Sequence, residues 1–184
     1  MENSVSIYIL NEGKCVKPET SNERITRCVK LFSGLAEVPD IIREEHKKPR
    51  FQPDIGIYFS VSHSKNYWFC AVSRTEIGID IQHIGSIADK QKIAKRFFHK
   101  DEYEYLKKNE FKEFYSVWTA KESYVKYTGQ GITDSFAEFS VADTNGIVEY
   151  INAGQIKFLD FDENYRVCLC AKKEIGVIKK CLLY

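Results

Sequence analysis

Apolar positions along this chain repeat every second residue in some stretches and every third or fourth in others. Val5 to Leu10 alternates and predicts a strand. Thr20-Ser21-Asn22-Glu23 then carries a capping-box signature, in which a hydroxyl and a carboxylate satisfy the first free amides of a helix. Ile25, Cys28, Val29 and Phe32 follow at helical spacing, and Gly34 is the stop. Lys47 to Pro53, with two prolines, reads as a loop. Three strands are predicted next, at Ile55–Val61, Trp68–Ser73 and Ile77–Ile81. The turns Ser64-Lys65-Asn66 and Arg74-Thr75-Glu76 between them are short, which predicts antiparallel neighbours.

After Gly85 the period changes. Asp89–Phe98, Asp101–Lys108 and a longer stretch from Glu110 to Tyr127 predict helices, the last ended by Gly129 and Gly131. Strands return at Ala137–Ala142, Gly146–Ile151, Gln155–Phe161 and Tyr165–Ala171. Both halves thus run from helix to antiparallel strands. The expected class is α+β, with two similar lobes, 1–77 and 78–184, meeting near Ile77–Gly85.

With 184 residues, 43% of them apolar, the chain can bury a core without disulfides or metals to staple it. Its 27 basic and 26 acidic residues leave a net charge of +1, which argues against a protein held to nucleic acid by phosphate contacts. A local basic pocket for one anion remains compatible with that balance. The polar start Met1-Glu2-Asn3-Ser4 and the lack of a long apolar run predict neither a signal peptide nor a membrane helix. Six cysteines, Cys15, Cys28, Cys70, Cys168, Cys170 and Cys181, form no C-x-x-C pair. They read as buried, reduced thiols of a cytoplasmic protein, with Cys168 and Cys170 on one face of a strand.

Four fragments carry candidate chemistry, each with a plain alternative. In Ile77-Gly78-Ile79-Asp80-Ile81-Gln82, the isoleucines face one way while Asp80 and Gln82 face the other. A carboxylate there needs a cation, either a metal or a Lys or Arg partner. In Trp118-Thr119-Ala120-Lys121-Glu122-Ser123-Tyr124-Val125-Lys126, helical spacing groups Trp118, Glu122, Val125 and Lys126, flanked by Lys121. The plain reading is a surface Glu122–Lys126 ion pair of about 0.3–0.5 kcal/mol. Alternation in Phe59-Ser60-Val61-Ser62-His63-Ser64 gathers three hydroxyls beside His63, either a phosphate grip or a polar hairpin end. Lys47-Lys48-Pro49-Arg50 is a basic patch or a solvated run. No P-loop, dinucleotide fingerprint or G-x-S-x-G element is present.

In this order the fragments resemble the surfactin-type 4′-phosphopantetheinyl transferases over about Lys47 to Ala171. The similarity is carried by Lys48-Pro49, Phe59 through Ser64, Gly78-Ile79-Asp80, Ala94-Lys95-Arg96-Phe97-Phe98 with Glu102, Trp118 through Lys126, and Gly129-Gln130-Gly131. The resemblance implies a pseudo-dimer of two lobes with coenzyme A in the cleft between them. It implies magnesium, with manganese possible, on Asp80 and Glu122, and Gln82 as a third metal contact where many bacterial members have Glu. It assigns catalysis to Glu122 as base and Lys126 as the cation on the pyrophosphate. Coenzyme A contacts would come from Lys48, Pro49, Ser62, His63, Lys121 and Lys126, with Arg24 a loose match for the 3′-phosphate.

The implied reaction moves phosphopantetheine from coenzyme A to a serine of an acyl or peptidyl carrier protein, releasing 3′,5′-adenosine bisphosphate. Arg96-Phe97-Phe98-His99-Lys100 and Glu110–Tyr115 are candidate docking segments for an acidic carrier, with Phe97 and Phe98 as core residues on the plain reading. The implied enzyme is a cytoplasmic monomer with no nucleic-acid or membrane partner. Two alternatives stay open: a decayed coenzyme A-binding module, motivated by Gln82, and an interaction or RNA-binding domain built on charged helices.

Overall fold

The computed structural model describes residues 3–14, 19–45, 47–85, 87–130, 134–172 and 175–183. Cys15 and Gly131 lie outside them. The protein is α+β and carries two four-stranded sheets. In the first, β1 (Asn3–Asn11) lies between β5 (Tyr67–Ser73), antiparallel, and β12 (Ile175–Leu183), parallel, and β4 (Tyr58–Ser64) forms the far edge. The second has β6 (Ile77–His83) at one edge, followed by β11 (Tyr165–Lys172), β10 (Gly154–Phe158) and β9 (Tyr150–Ile151). Two small hairpins, β2 (Asp40–Ile42) with β3 (Arg50–Gln52) and β7 (Ala142–Asp143) with β8 (Gly146–Ile147), stand apart.

Alternation sorts each strand's side chains into separate cores. Val5, Ile7, Ile9, Phe69 and Ala71 of the first sheet meet Ile77, Ile79, Ile81, Val167 and Leu169 of the second. The opposite face of the first sheet, through Tyr8, Leu10, Trp68 and Cys70, packs on Ile25, Cys28 and Val29 of α1 (Ser21–Ser33). The opposite face of the second, through Cys168 and Cys170, packs on α4 (Phe114–Thr128). The result is a helix–sheet–sheet–helix stack. Each apolar face is buried against another, which is what folding requires of amphipathic elements. Cys28, Cys70, Cys168 and Cys170 are buried in these layers, as expected, whereas Cys181 is only half-buried.

Helix ends follow the local signals. Thr20 and Glu23 form the capping box of α1, and Gly34 closes it in the left-handed conformation. Asp89 caps α2 (Lys90–Phe97), His99 caps α3 (Lys100–Lys108), and Gly129, at φ 74°, closes α4. Helix α4 begins at Phe114 rather than Glu110, because Glu110 and Phe111 have positive φ and form a turn.

Three sequence expectations are corrected. First, β5 and β6 are not antiparallel neighbours. The turn at Arg74–Glu76 carries the chain from one sheet to the other, and β6 pairs with β11. Second, Ala137–Ala142 is no strand beyond Ala142. Asp134–Ala137 is a 3₁₀ turn, and Phe136 and Val141 pack with the α4 helical core. Third, Gly146–Ile151 is not one strand but two, β8 and β9, in different sheets. The sequence reading contains no strand at β12. Its exposed Val177, Lys179, Lys180 and Leu182 blur the alternation of an edge strand.

The edge of β6 that faces away from β11 meets the edge of β4 without a backbone ladder. The amides of Ile79, Ile81 and His83 donate instead to the hydroxyls of Ser60, Ser62 and Ser64, at 3.0, 3.3 and 2.9 Å. Both strands repeat every two residues, so three alternating serines serve three alternating amides. The Lys48 ammonium adds a bond to the Ile77 carbonyl at 2.7 Å.

Candidate active site

A cleft of about 750 Å³ opens where β4, β6, α1 and α4 converge. Strand β6 presents Asp80 and Gln82 to it, because the intervening isoleucines are held in the core between the sheets. Helix α4 presents Trp118, Glu122 and Lys126, one helical turn apart. Strand β4 adds Ser62 and His63, β5 adds Trp68, α1 adds Arg24, and Glu12 and Glu19 come from between β1 and α1.

Gly78 permits this convergence. A Cβ there would stand 2.0 Å from the Ser123 carbonyl oxygen and 2.4 Å from the Tyr127 nitrogen, both in the backbone of α4. Only a residue without a side chain lets the helix lie so close to the strand. Asp80, two residues on, is thereby brought within reach of α4.

The Lys126 ammonium donates to Asp80 Oδ1 at 2.7 Å and to the Ser62 hydroxyl at 3.1 Å. Ser62 in turn donates to Asp80 Oδ1 at 2.7 Å. With the Ile81 amide, the Ser62 hydroxyl has one acceptor and two donors, its full capacity. The second carboxylate oxygen of Asp80 is buried and has no partner. An unsatisfied buried acceptor of this kind costs about 1–3 kcal/mol, more when charged, and is open to a further donor or a cation.

Glu122 is 6% exposed. Burial, and secondarily the Asp80 charge, push its carboxyl up to about 7, against the opposing pull of Lys126. A carboxylate poised near neutrality is suited to accept a proton. The plain reading of Glu122 and Lys126 as a surface pair does not describe them, since Lys126 reaches across to Asp80 and Glu122 is buried.

The remaining predicted residues divide. Ser62, His63 and Gln82 line the cleft with Asp80, Glu122 and Lys126. Lys121 does not. Its ammonium is fully buried on another side of α4, bonded to Glu102 at 2.8 Å and to the Phe139 carbonyl at 2.8 Å. The rings of Phe139, Phe136 and Phe98 surround it, with centroids at 4.1, 5.4 and 5.8 Å. Glu102 also accepts from the Val141 and His99 amides, so the pair ties α3, α4 and the 139–141 segment together. Lys121 is therefore corrected from a phosphate contact to a core ion pair.

Lys48, beside Pro49, is held by Glu76 at 2.6 Å and by the Ile77 carbonyl, outside the lining of the cleft. Arg24 does line it, bridged to Glu12 at 2.5 Å and lying over the Trp68 ring at 5.7 Å. Of the two candidate docking aromatics, Phe98 is core at 5% exposed and Phe97 is 42% exposed. Sequence reasoning missed Glu12, Glu19, Ser21 and Trp68 as cleft residues. Nothing in their spacing signals it, apart from the capping box that places Ser21 in the first turn of α1.

Among the described residues no three or more His, Cys, Asp or Glu side chains cluster as a metal cage. The donor set is two carboxylates, one with an orphaned oxygen, beside the Gln82 amide. This suits a hard cation that keeps waters and takes its other ligands from phosphate oxygens.

Comparison with known proteins agrees with the geometry. Residues 76–173 match the model of the 4′-phosphopantetheinyl transferase superfamily, a span that contains β6 and α4. The chain is 34% identical to 4′-phosphopantetheinyl transferase Sfp of Bacillus subtilis (strain 168) over 139 residues, 70% of this chain and 61% of that protein. It is 39% identical to 4′-phosphopantetheinyl transferase gsp of Aneurinibacillus migulanus over 94 residues, 49% of this chain and 38% of that protein. With 4′-phosphopantetheinyl transferase HetI of Nostoc sp. it shares 44% identity over 82 residues, 42% of this chain and 35% of that protein. The chain thus spans less than two thirds of the length of these relatives. More than half of it lies within the matched model, so the chain belongs to the 4′-phosphopantetheinyl transferase superfamily.

Proposed function

We propose that this protein transfers the 4′-phosphopantetheine group of coenzyme A to a serine of an acyl or peptidyl carrier protein. The observation that carries the reading is the meeting of Asp80, Glu122 and Lys126 in one cleft, with one Asp80 oxygen buried and unpartnered. Asp80 and Glu122 would hold a divalent ion, magnesium or manganese, with Gln82 beside them. When bound, the ion neutralises charge on the pyrophosphate.

The protein's own groups do the rest. Glu122 would take the proton of the carrier serine as that oxygen attacks the β-phosphorus. The bond from that phosphorus to the bridging oxygen breaks, and 3′,5′-adenosine bisphosphate leaves with the electron pair. Lys126 is the cation for the pyrophosphate and leaving group, and it must turn part of its contact from Asp80 to the substrate. Ser62 orients Asp80, and His63, exposed at the cleft, is available to the coenzyme A phosphates.

The two sheets, each with a helix on its outer face, support the further reading of two lobes, 1–77 and 78–184, with β12 returning to the first. A cleft built within one chain supports a monomer. Phe97 and Arg96 on α2 supply an apolar and basic surface suited to an acidic carrier. No helix among the described residues is long and apolar enough to cross a membrane. We place the activity in the cytoplasm on the reduced state expected of the buried thiols.

The test is intact-mass spectrometry of apo carrier proteins incubated with this protein, coenzyme A and magnesium. A gain of one phosphopantetheine arm is expected. No gain on several acyl and peptidyl carriers, from folded protein, would overturn the reading.

A further inference from the structure

We infer that Ser60 and Ser64 are positioning residues for the metal site, acting through the backbone of β6 rather than by touching any ligand. Asp80 lies between Ile79 and Ile81 on an edge strand, and among the described residues β6 forms its backbone ladder with β11 and none with β4. What fixes it sideways is a row of hydroxyls from β4. Ser60 takes the Ile79 amide at 3.0 Å, Ser62 the Ile81 amide at 3.3 Å, and Ser64 the His83 amide at 2.9 Å. Ser62 is the only one of the three with a contact to the carboxylate itself. The outer two bracket it along the strand.

A backbone ladder would hold two strands at the ordinary spacing of a sheet. Hydroxyls interposed between the edges set a wider junction, and this is the junction at which the cleft opens. The register it enforces puts Asp80 opposite Ser62, where Lys126 can bond both. Shifting β6 by one residue would turn Asp80 into the core and an isoleucine into the cleft. Ser60 and Ser64 therefore determine where the free Asp80 oxygen points, as outer-shell partners of a metal ligand do.

This rests on the reading of Asp80 as a metal ligand, and the experiment separates the two. Manganese affinity is measured by electron paramagnetic resonance titration, without coenzyme A or carrier, on wild type and single variants. Ser60→Ala and Ser64→Ala are expected to weaken manganese binding about tenfold. Ser64→Thr, which keeps the hydroxyl, is expected to stay within twofold of wild type. Ser73→Ala removes a buried hydroxyl of the same sheet, which serves the Thr75 amide in a turn, and is expected to leave the affinity unchanged.

Unchanged affinity in both Ser60→Ala and Ser64→Ala, with Asp80→Ala abolishing binding, would overturn the positioning role and leave the metal site standing. Wild-type affinity in Asp80→Ala, or no binding by wild type, would instead remove the metal reading and this inference with it. Ser64 is half-buried, so its alanine variant remains informative should Ser60→Ala fail to fold.

Discussion

Lys126 and Asp80 form an ion pair of 2.7 Å between α4 and β6, yet the pair uses only one oxygen of the carboxylate. The other oxygen is buried and unpartnered, so the pair neutralises Asp80 without satisfying it. Charge and geometry thus leave room for a second cation.

Asp80→Asn keeps the shape and removes the charge. Transfer to a carrier is expected to fall by more than about a hundredfold, since charge stabilisation at such a site contributes several kcal/mol. The same variant should lower the Glu122 pKa, because the Asp80 charge is the second cause of its elevation. Titration of the Glu122 carboxyl by NMR in metal-free protein checks this. A Glu122 pKa that stays near 7 in Asp80→Asn would show that burial alone sets it.

The raised Glu122 carboxyl also fixes a sign. Folded protein holds its proton up to about 7, whereas the unfolded chain releases it near the ordinary 4.5. Between these values the folded state binds more protons, so stability is full below the lower value and declines as pH rises through the window. The metal-free wild type should lose up to roughly 3 kcal/mol over that interval from this group. Denaturant melts at several pH values should show the decline, and Glu122→Gln should flatten it.

Glu102 and Lys121 form a pair with neither side chain exposed. Removing one member leaves the other charged and buried. Glu102→Gln or Lys121→Met is expected to cost about 3–5 kcal/mol, and the double change to apolar residues to recover part of it. Urea unfolding measures both. Equal loss in the double and single variants would mean that the pair's shape matters more than its charge.

Gly78→Ala tests the close approach of β6 and α4. The new Cβ would meet helix backbone at 2.0 Å, so the helix must move. A destabilisation of about 3 kcal/mol is expected, typical of severe overpacking. Activity should fall further than stability predicts, since Glu122 and Lys126 ride on that helix. Native-like stability would show that the two elements slide apart easily.

Much of the fold was legible where the signal is local. Thr20 with Glu23, Gly34, Asp89 and Gly129 act on partners within four residues, and the helix ends they predict are found. Strand alternation revealed which side chains share a face, but not which edge meets which. That is why the passage of the chain between sheets at Arg74–Glu76 and the pairing of β12 with β1 escaped notice. In the site, the strand period set Asp80 beside Gln82 and the helix period set Glu122 beside Lys126, but spacing alone fitted ordinary ion pairs equally well, and it was the family resemblance that grouped Asp80, Glu122 and Lys126 as one site. Lys121 does not join them, since one residue turns a helix by about 100° and takes its side chain away from that of Glu122. The role of the three serines was invisible because a hydroxyl's partner is chosen by tertiary packing. The sequence offered a phosphate grip or a polar hairpin end, and neither reading names the amides of β6 that the three hydroxyls accept from.

The parallel pairing of β1 with β12 bears on how the molecule assembles. Asn3 meets Ile175 and Leu10 meets Leu183, among the most distant pairings along the chain. Closing so large a loop is entropically costly, and contacts of this kind form slowly. During synthesis β1 would emerge early and wait, one side unpaired, until residues 175–183 left the ribosome. The second sheet waits as well, since β6 at residues 77–83 takes its partner β11 from residues 165–172. Strands β1, β4 and β5 with α1, all within residues 3–73, can pair early, and the strand that carries Asp80 gains its backbone partner only when β11 and β12 arrive together.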